Sequence, residues 1–298
     1  MKKILVTGSN GLLGQKLILK LSKDPEVQLL GISKGENRVL DLNFDYQSID
    51  ITDENSVHQV IDEFSPEIII HTAAMTNVDA CESDKEGCLN LNVRATQYIA
   101  DAAQKHKSHI VHLSTDFIFD GNQGPYREED EPNPLSFYGH SKWDSEKIIQ
   151  AYPYPWSIAR TVLVYGTVPG LSRSNIVLWA IGALKKGDPL KVVNDQFRSP
   201  TLAEDLAEGC ILIAKGGYEG IFNISGPDYM SVLELVERVA DFFKLRKDLI
   251  HPISSNTLNQ VAKRPPITGF IIDKAVQKLG YNPHSFEKGL AIVEEQIG

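Results

Sequence analysis

Six short runs of uninterrupted apolar character constrain the fold of this chain more than any other feature. They are KKILVT (2–7), VQLLGI (27–32), YQSIDI (46–51), EIIIHT (67–72), HIVHLS (109–114) and SIARTVLV (157–164). A strand that faces water on one side alternates apolar with polar residues, whereas a strand covered on both sides reads as a continuous run. The segments 11–23, 53–64, 86–106 and 137–151 carry helical periodicity. Strand followed by helix, repeated along the chain, predicts an α/β architecture: a doubly wound parallel sheet with right-handed crossovers and helices on both faces.

After about residue 166 the rhythm loosens. A helix is expected near 174–186, a short strand at LKVV (190–193), a helix near 202–215, a strand at GIFNIS (220–225), a helix near 231–244, and then a tail carrying RPP (264–266). This pattern predicts a smaller C-terminal α/β lobe packed at the carboxyl ends of the sheet strands. Residues 1–166 then form one domain and 167–298 a second lobe, interleaved with the first. The longest stretch without periodicity is 116–135, rich in Gly, Pro, Asp and Glu. A loop of that length inside a folded domain is usually functional.

A chain of 298 residues with 42% apolar content can bury a substantial core. Its formal charge of −9 argues against tracking a nucleic-acid backbone or coating an anionic membrane, so an anionic ligand needs a local positive site. The opening MKKILV resembles the start of a secretory leader, but its apolar run stops at Thr7-Gly8, which reads as a soluble, cytoplasmic chain. Cys81, Cys88 and Cys210 form neither a CxxC pair nor a zinc spacing and read as reduced packing residues. No metal site is expected: His71 and His112 fall within predicted strands and read as satisfied core histidines.

Directly after the first strand comes TGSNGLLG, in which Gly8, Gly11 and Gly14 open the first helix. In that context the first glycine permits a tight turn, the second lets backbone approach a pyrophosphate, and the third allows helix and strand to pack closely. The sheet is therefore read as a Rossmann-type dinucleotide-binding domain, with Asn10, Leu12 and Leu13 in the same cofactor turn. At the end of the second strand, where a carboxylate would select NAD, the chain has Ser33 and Lys34 with Arg38 close by. NADP(H) is the expected preference, with NAD(H) still usable. Asp50 and Ile51 fall where the adenine edge would lie, and Ala73 and Ala74 leave room for the cofactor beside the fourth strand.

Tyr138 and Lys142 stand four apart at the start of a predicted helix, and residues four apart share a helix face. The preceding strand ends in Ser114-Thr115. Reduction of a carbonyl needs an acid positioned at the oxygen. An ammonium about 4 Å from a phenol contributes about 4 kcal/mol at an effective dielectric of 20, which predicts a phenol pKa lowered by about two to three units. Thr115 can align the same oxygen.

The order of these elements resembles the extended short-chain dehydrogenase/reductase family. In that family Asn92, within LNLNVRATQ, completes a tetrad with Thr115, Tyr138 and Lys142 and supports a proton relay. STDFIFDGNQGPYREEDEPNPLSFYGHSKWDSE, NDQFRSPT and the late RPP resemble more specifically the dTDP-4-dehydrorhamnose reductases and their relatives. That resemblance implies NAD(P)H-dependent reduction of the C4 ketone of a nucleotide-linked 6-deoxy-4-keto-hexose, dTDP-4-dehydrorhamnose to dTDP-L-rhamnose. Tyr138 would be the acid, Lys142 would bind the nicotinamide ribose, and Thr115 would orient the carbonyl. Asp116, Phe117 and Thr76 would flank the sugar, while Arg198 and Arg264 are candidates for the diphosphate.

Two positions depart from the family pattern: Phe117 stands in place of a tyrosine, and Leu163 in place of a tryptophan, which removes an aromatic face from the hexose site. The resemblance also implies two other roles. One is a non-catalytic NADP-binding regulatory subunit like that of methionine adenosyltransferase, and the other is a nucleotide-sugar epimerase. A nucleotide sugar is the expected partner, with a homodimer as the possible assembly.

Overall fold

The computed structural model describes every residue except those at 172 and 259. β1 (Lys2–Thr7) lies inside a seven-stranded sheet, flanked on one side by β2 (Val27–Ser33) and then β3 (Asp45–Ser48). On its other side run β4 (Ile68–His71), β5 (His109–Thr115), β6 (Trp156–Thr161) and, at the edge, the strand Gly220–Asn223. Every pairing in this sheet is parallel. The strand order reverses between β1 and β4, and ligands of doubly wound sheets bind at such a switch point.

The unbroken apolar runs have a direct cause in packing. Ile4 and Val6 of β1 enter one core, with Leu17, Ile18 and Leu21 of α1 (Leu12–Leu21) and Leu206 and Ile213 of the helix Ala203–Gly216. Leu5, between them, enters a second core on the opposite face. There it meets Val57 and Ile61 of α2 (Glu54–Phe64), Ile99 of α5 (Ala95–His106) and Ile149 of α6 (Phe137–Gln150). Each such side chain contributes about 1.5–3 kcal/mol when fully buried, so a polar residue at any of these positions would be strongly destabilising. A third core lies under the helices Ile176–Lys186, Val232–Phe242 and Phe286–Ile297. α3 (Val78–Ser83) and α4 (Lys85–Leu89) lead from β4 into α5.

Four elements differ from the sequence expectation. The strand expected at 220–225 in the smaller lobe instead pairs with β6, Ile221 opposite Ile158, and extends the main sheet. The strand expected at 46–51 ends at Ser48, because beyond it Asp50 takes the N–H and hydroxyl of Thr52 and turns the chain towards α2. The helix expected over 86–106 is interrupted by a π turn at Asn90–Arg94. The run 157–164 breaks at Val162-Leu163, where Thr201 donates its hydroxyl to the Val162 carbonyl at 2.7 Å and its N–H to the Leu163 carbonyl at 3.3 Å. Leu163 takes φ +41° there, a left-handed backbone that an aliphatic residue rarely adopts.

The 116–135 loop covers the edge of the sheet formed by the strand Gly220–Asn223. Glu128 accepts from the Asn223 N–H at 3.0 Å, and the Asn223 amide donates to the Tyr126 carbonyl at 3.1 Å. Tyr126 itself stacks on buried Phe119, with centroids 4.1 Å apart. An edge strand left open would template pairing with another chain, and this loop occupies that edge. Among the described residues no helix is long and apolar enough to cross a membrane.

Candidate active site

A cleft of about 1140 Å³ opens at the carboxyl ends of the central strands, and all the candidate residues read from the sequence border it except Asn92. Its floor begins at the glycine turn. Gly8 has φ +67°, and a Cβ there would stand 2.9 Å from the Ala73 backbone. A Cβ on Gly14 would come within 2.1 Å of the Gly8 carbonyl, so this position holds α1 tight against β1. Gly11 caps α1 with no side-chain hydrogen bond, so no side chain competes with a ligand for the N–H groups of Leu12 and Leu13. The donor-rich, anion-favouring helix start and the hydroxyl of Ser114, buried without a partner among the described residues, fit a dinucleotide.

Further along, Asn10 shapes the site from behind. Its amide donates to the Glu36 carbonyl at 2.8 Å and its oxygen accepts from the Arg38 N–H at 2.9 Å, fastening the loop after β2. Ser33, Lys34, Arg38, Asp50 and Ile51 line this end of the cleft. Lys34, 82% exposed, pairs with Asp50 at 2.9 Å, and that bond, reinforced by Thr52, pulls the Asp50 carboxyl down to about 2. Arg38 donates to the Gly170 carbonyl at 2.8 Å.

The opposite end is built by α6. Ser136 caps the helix by accepting from the Gly139 N–H at 3.2 Å, and this sets Tyr138 in the first turn and Lys142 one turn on. Both side chains are buried at the cleft wall. The structure corrects the expectation that the phenol is acidified by the lysine. Burial pushes the Tyr138 pKa up, the Thr115 hydroxyl works against this, and Asp116 adds to it. The Lys142 ammonium is turned instead to His112 Nε2, at 3.1 Å, and burial pushes its own pKa down to about 8 despite the opposing charge of Glu146. His112 therefore belongs to the site, which its position in an apolar strand did not announce.

Asn92 is a second correction. Its side chain closes on the Met75 backbone, accepting from the N–H at 2.7 Å and donating to the carbonyl at 3.1 Å, and it donates to Ser141 Oγ at 2.9 Å. Held inside the π turn and only 1% exposed, it has no free donor for a relay and acts as a clamp between α6 and the loop after β4. Cys81 and Cys88 are buried free thiols packed beside Tyr138.

At the same end of the cleft, Phe117 meets Tyr138 edge to face at 5.7 Å. Asp116 is buried, which raises its pKa against the opposing charge of Arg198, and it accepts from the Thr268 and Thr115 hydroxyls. Arg198 borders the cleft but is 4% exposed. Four of its five N–H donors go to the carbonyls of Phe197, Pro265 and Pro266 and to Gln196 Oε1, and its Nε faces the buried Asp116 carboxylate at 3.7 Å, so it is held within the protein rather than extended into the cleft. Arg264 pairs with Asp79 at 2.6 Å at the rim, and exposed Thr76 and Arg173 line the same mouth. Arg173 lies in a loop without periodicity, and nothing in its neighbourhood in the sequence marked it.

A glycine-cradled cleft at the switch point of a parallel sheet, with threonine, tyrosine and lysine gathered at its far end, defines a dinucleotide-binding protein of the extended short-chain dehydrogenase/reductase class. Within that class the chain belongs to the family described as the RmlD substrate binding domain, which it matches over residues 1–297. It is 32% identical over 302 residues to a dTDP-4-dehydrorhamnose reductase of Aggregatibacter actinomycetemcomitans, covering 97% of each chain. It is also 31% identical over 269 residues to the methionine adenosyltransferase 2 subunit beta of Danio rerio, covering 89% of this chain and 81% of that one. The crystal structure of a dTDP-4-dehydrorhamnose reductase from Bacillus anthracis in complex with NADP matches with a TM-score of 0.86 at 27% identity, covering 99% of this chain and 100% of that one. A counterpart from Clostridium acetobutylicum matches with a TM-score of 0.87 at 28% identity, covering 99% of both chains.

Proposed function

We propose that this protein reduces the C4 ketone of dTDP-4-dehydrorhamnose, or of a closely related nucleotide-linked 6-deoxy-4-keto-hexose, to the alcohol, using NADPH. The observation that carries the reading is the buried Tyr138 phenol, which borders the cleft beside Thr115 with Lys142 one turn further along the same helix. A group that must deliver a proton near neutral pH is needed in its protonated form, which a phenol has; the burial that raises its pKa is a cost that the Thr115 hydroxyl and the Lys142 charge offset as the proton leaves.

NADPH, held by the glycine turn, Ser33, Lys34 and Arg38, supplies the hydride. Tyr138 gives its proton to the ketone oxygen as charge develops there, and the phenolate left behind recovers a proton from solvent. Thr115 accepts from the Phe117 N–H at 3.2 Å, which holds its oxygen at the cleft wall, and donates to Asp116 at 3.1 Å; it aligns the ketone oxygen by turning that proton from Asp116 to the substrate. Lys142 holds positive charge next to the reacting end and binds the cofactor ribose. Phe117 and Leu163 form the apolar wall against the hexose, and Arg264 is the diphosphate partner.

The similarity to methionine adenosyltransferase 2 subunit beta supports a second reading as a regulatory subunit. The complete set of Thr115, Tyr138 and Lys142 favours chemistry, since a purely regulatory protein has less need of all three. The test follows NADPH absorbance with dTDP-4-dehydro-β-L-rhamnose for wild type and Tyr138→Phe. Wild type is expected to turn over and the variant to lose at least about a hundredfold. Equal rates would remove Tyr138 from the mechanism. No turnover together with co-purification of a synthetase would favour the regulatory reading, and isomerisation without net NADPH consumption would favour an epimerase.

A further inference from the structure

Two histidines lie side by side beneath the cleft, with ring centroids 5.2 Å apart, and their hydrogen bonding differs. Thr7 Oγ1 accepts from the N–H groups of Thr72 and Ala73 at 3.2 and 3.3 Å, so its own proton goes to His71 Nδ1 at 2.7 Å. His71 Nε2 then donates to Thr96 Oγ1 at 3.2 Å, whose hydroxyl passes its proton to the Asn92 carbonyl at 2.8 Å. His71 is thus a satisfied, neutral core histidine.

His112 is not satisfied. It is 1% exposed, and its Nδ1 has no hydrogen-bond partner among the described residues. Its Nε2 lies 3.1 Å from Lys142 Nζ and 3.0 Å from Ser145 Oγ, but Ser145 commits its proton to the Lys142 carbonyl at 2.8 Å. A proton on Nε2 could go to Ser145 Oγ only by standing against the Lys142 ammonium 3.1 Å away, so with Lys142 charged the ring carries its proton on the orphaned Nδ1 and offers the Nε2 lone pair to Lys142. Leaving a buried N–H unpaired is costly, and the lysine contact is what the arrangement gains in return.

We propose that His112 is the positioning residue of Lys142, a neutral imidazole whose Nε2 lone pair anchors the ammonium at the floor of the cleft and thereby sets the pH at which that charge is lost. The inference rests on the proposed role of Lys142 beside Tyr138. An ammonium has three donors, and one fixed in the interior leaves two for the cleft. Burial, the Lys142 charge and the neighbouring His71 together keep the His112 pKa well below its ordinary value, so the anchor stays neutral. The other groups acting on Lys142 are Glu146 from its own helix, which is closed in an ion pair with Arg160, and Cys88 from α4. With Asn92 clamped to Met75, no other side chain described here holds Lys142 from below in the way His112 does.

The sign follows from the bond. An acceptor for the ammonium favours the charged form, so removing it moves the Lys142 pKa further down, and the charge is lost at lower pH as pH rises. The test compares wild type, His112→Phe and His112→Gln, reading the Lys142 titration from its 13Cε shift in cofactor-free protein and NADPH affinity from fluorescence. His112→Phe is expected to move the titration down by about one pH unit and to weaken NADPH about tenfold, while His112→Gln, which keeps an acceptor, restores both. A folded His112→Phe that titrates like wild type overturns the proposal, as does an equal shift in both variants. If His112→Phe does not fold, His112→Gln decides alone: wild-type titration supports the anchor and a shifted one refutes it. Because the titration is read without substrate, failure of the keto-sugar assay and failure of this inference are separate results.

Discussion

Arg160 and Glu146 close a two-pronged ion pair inside the protein, Nη2 to Oε2 at 2.8 Å and Nε to Oε1 at 3.1 Å, with side chains 2% and 0% exposed. The pair joins β6 to α6, the helix that carries Tyr138 and Lys142. A third donor of Arg160 reaches the Glu128 carbonyl in the long loop at 3.0 Å. Removing one partner strands a buried charge, so Glu146→Ala is expected to lose about 3–5 kcal/mol in urea denaturation. Replacing both by apolar residues of similar volume should recover most of that loss. A Glu146→Ala protein as stable as wild type would show that the pair carries little of the helix attachment.

The Lys34–Asp50 contact is different in kind. Both groups are well exposed, so the bond adds little to folding, and its importance lies in what Lys34 presents to the cofactor. Lys34→Ala removes a cation from the 2′-phosphate position and leaves the Asp50 carboxylate unscreened beside it. NADPH affinity is expected to fall on the order of tenfold with NADH affinity and melting temperature nearly unchanged. Equal losses for the two cofactors, measured by fluorescence titration, would mean that no 2′-phosphate is read there.

How far the sequence could be read depended on whether a signal was local. The two-sided burial of β1 appears as an unbroken run in KKILVT, and Gly8 and Gly14 are demanded by contacts within their own turn. The Tyr138–Lys142 spacing is likewise a property of one helix. What escaped was decided by distant chain: the strand Gly220–Asn223 carries nothing in its residues to say that it pairs with β6. Arg198 reads from the sequence as a candidate for the diphosphate, and nothing near it there shows that the carbonyls of Pro265 and Pro266 take its donors. His112 gained its role from a lysine that arrives thirty residues later on another element. The spacing of Tyr138 and Lys142 reports which helix face the lysine occupies and says nothing about the burial that raises the phenol pKa.

The buried histidines make the stability of the protein pH-dependent in a defined direction. Burial pushes His71 down to about 3 and His109 to about 4, from an ordinary value of 6.5. Between those values and 6.5 the unfolded chain binds protons that the folded chain refuses, so stability rises with pH across that window and is lost as pH falls below 6.5. Each histidine contributes a slope of about 1.4 kcal/mol per pH unit. His71→Gln should flatten the slope by about one such increment in urea melts taken at a series of pH values, and an unchanged slope would show that His71 is protonated in the folded state.

The two glycines with opposite surroundings give the sharpest contrast between a fold requirement and a spare position. Gly14 has no room: a Cβ would press on the Gly8 carbonyl at 2.1 Å and on the Ser9 Cα at 2.7 Å, backbone atoms that cannot move without lifting α1 from β1 or opening the turn. Gly14→Ala is therefore expected to cost about 1–3 kcal/mol of stability and to weaken NADPH binding by at least about tenfold. Gly182 sits within the helix Ile176–Lys186 with nothing within 4 Å of an added Cβ. There alanine should add about 0.5–1 kcal/mol by restricting the unfolded chain, with cofactor affinity unchanged. Thermal melts and NADPH titrations of the two variants side by side check both halves, and a Gly14→Ala protein that binds NADPH like wild type would show that the cofactor does not use this turn.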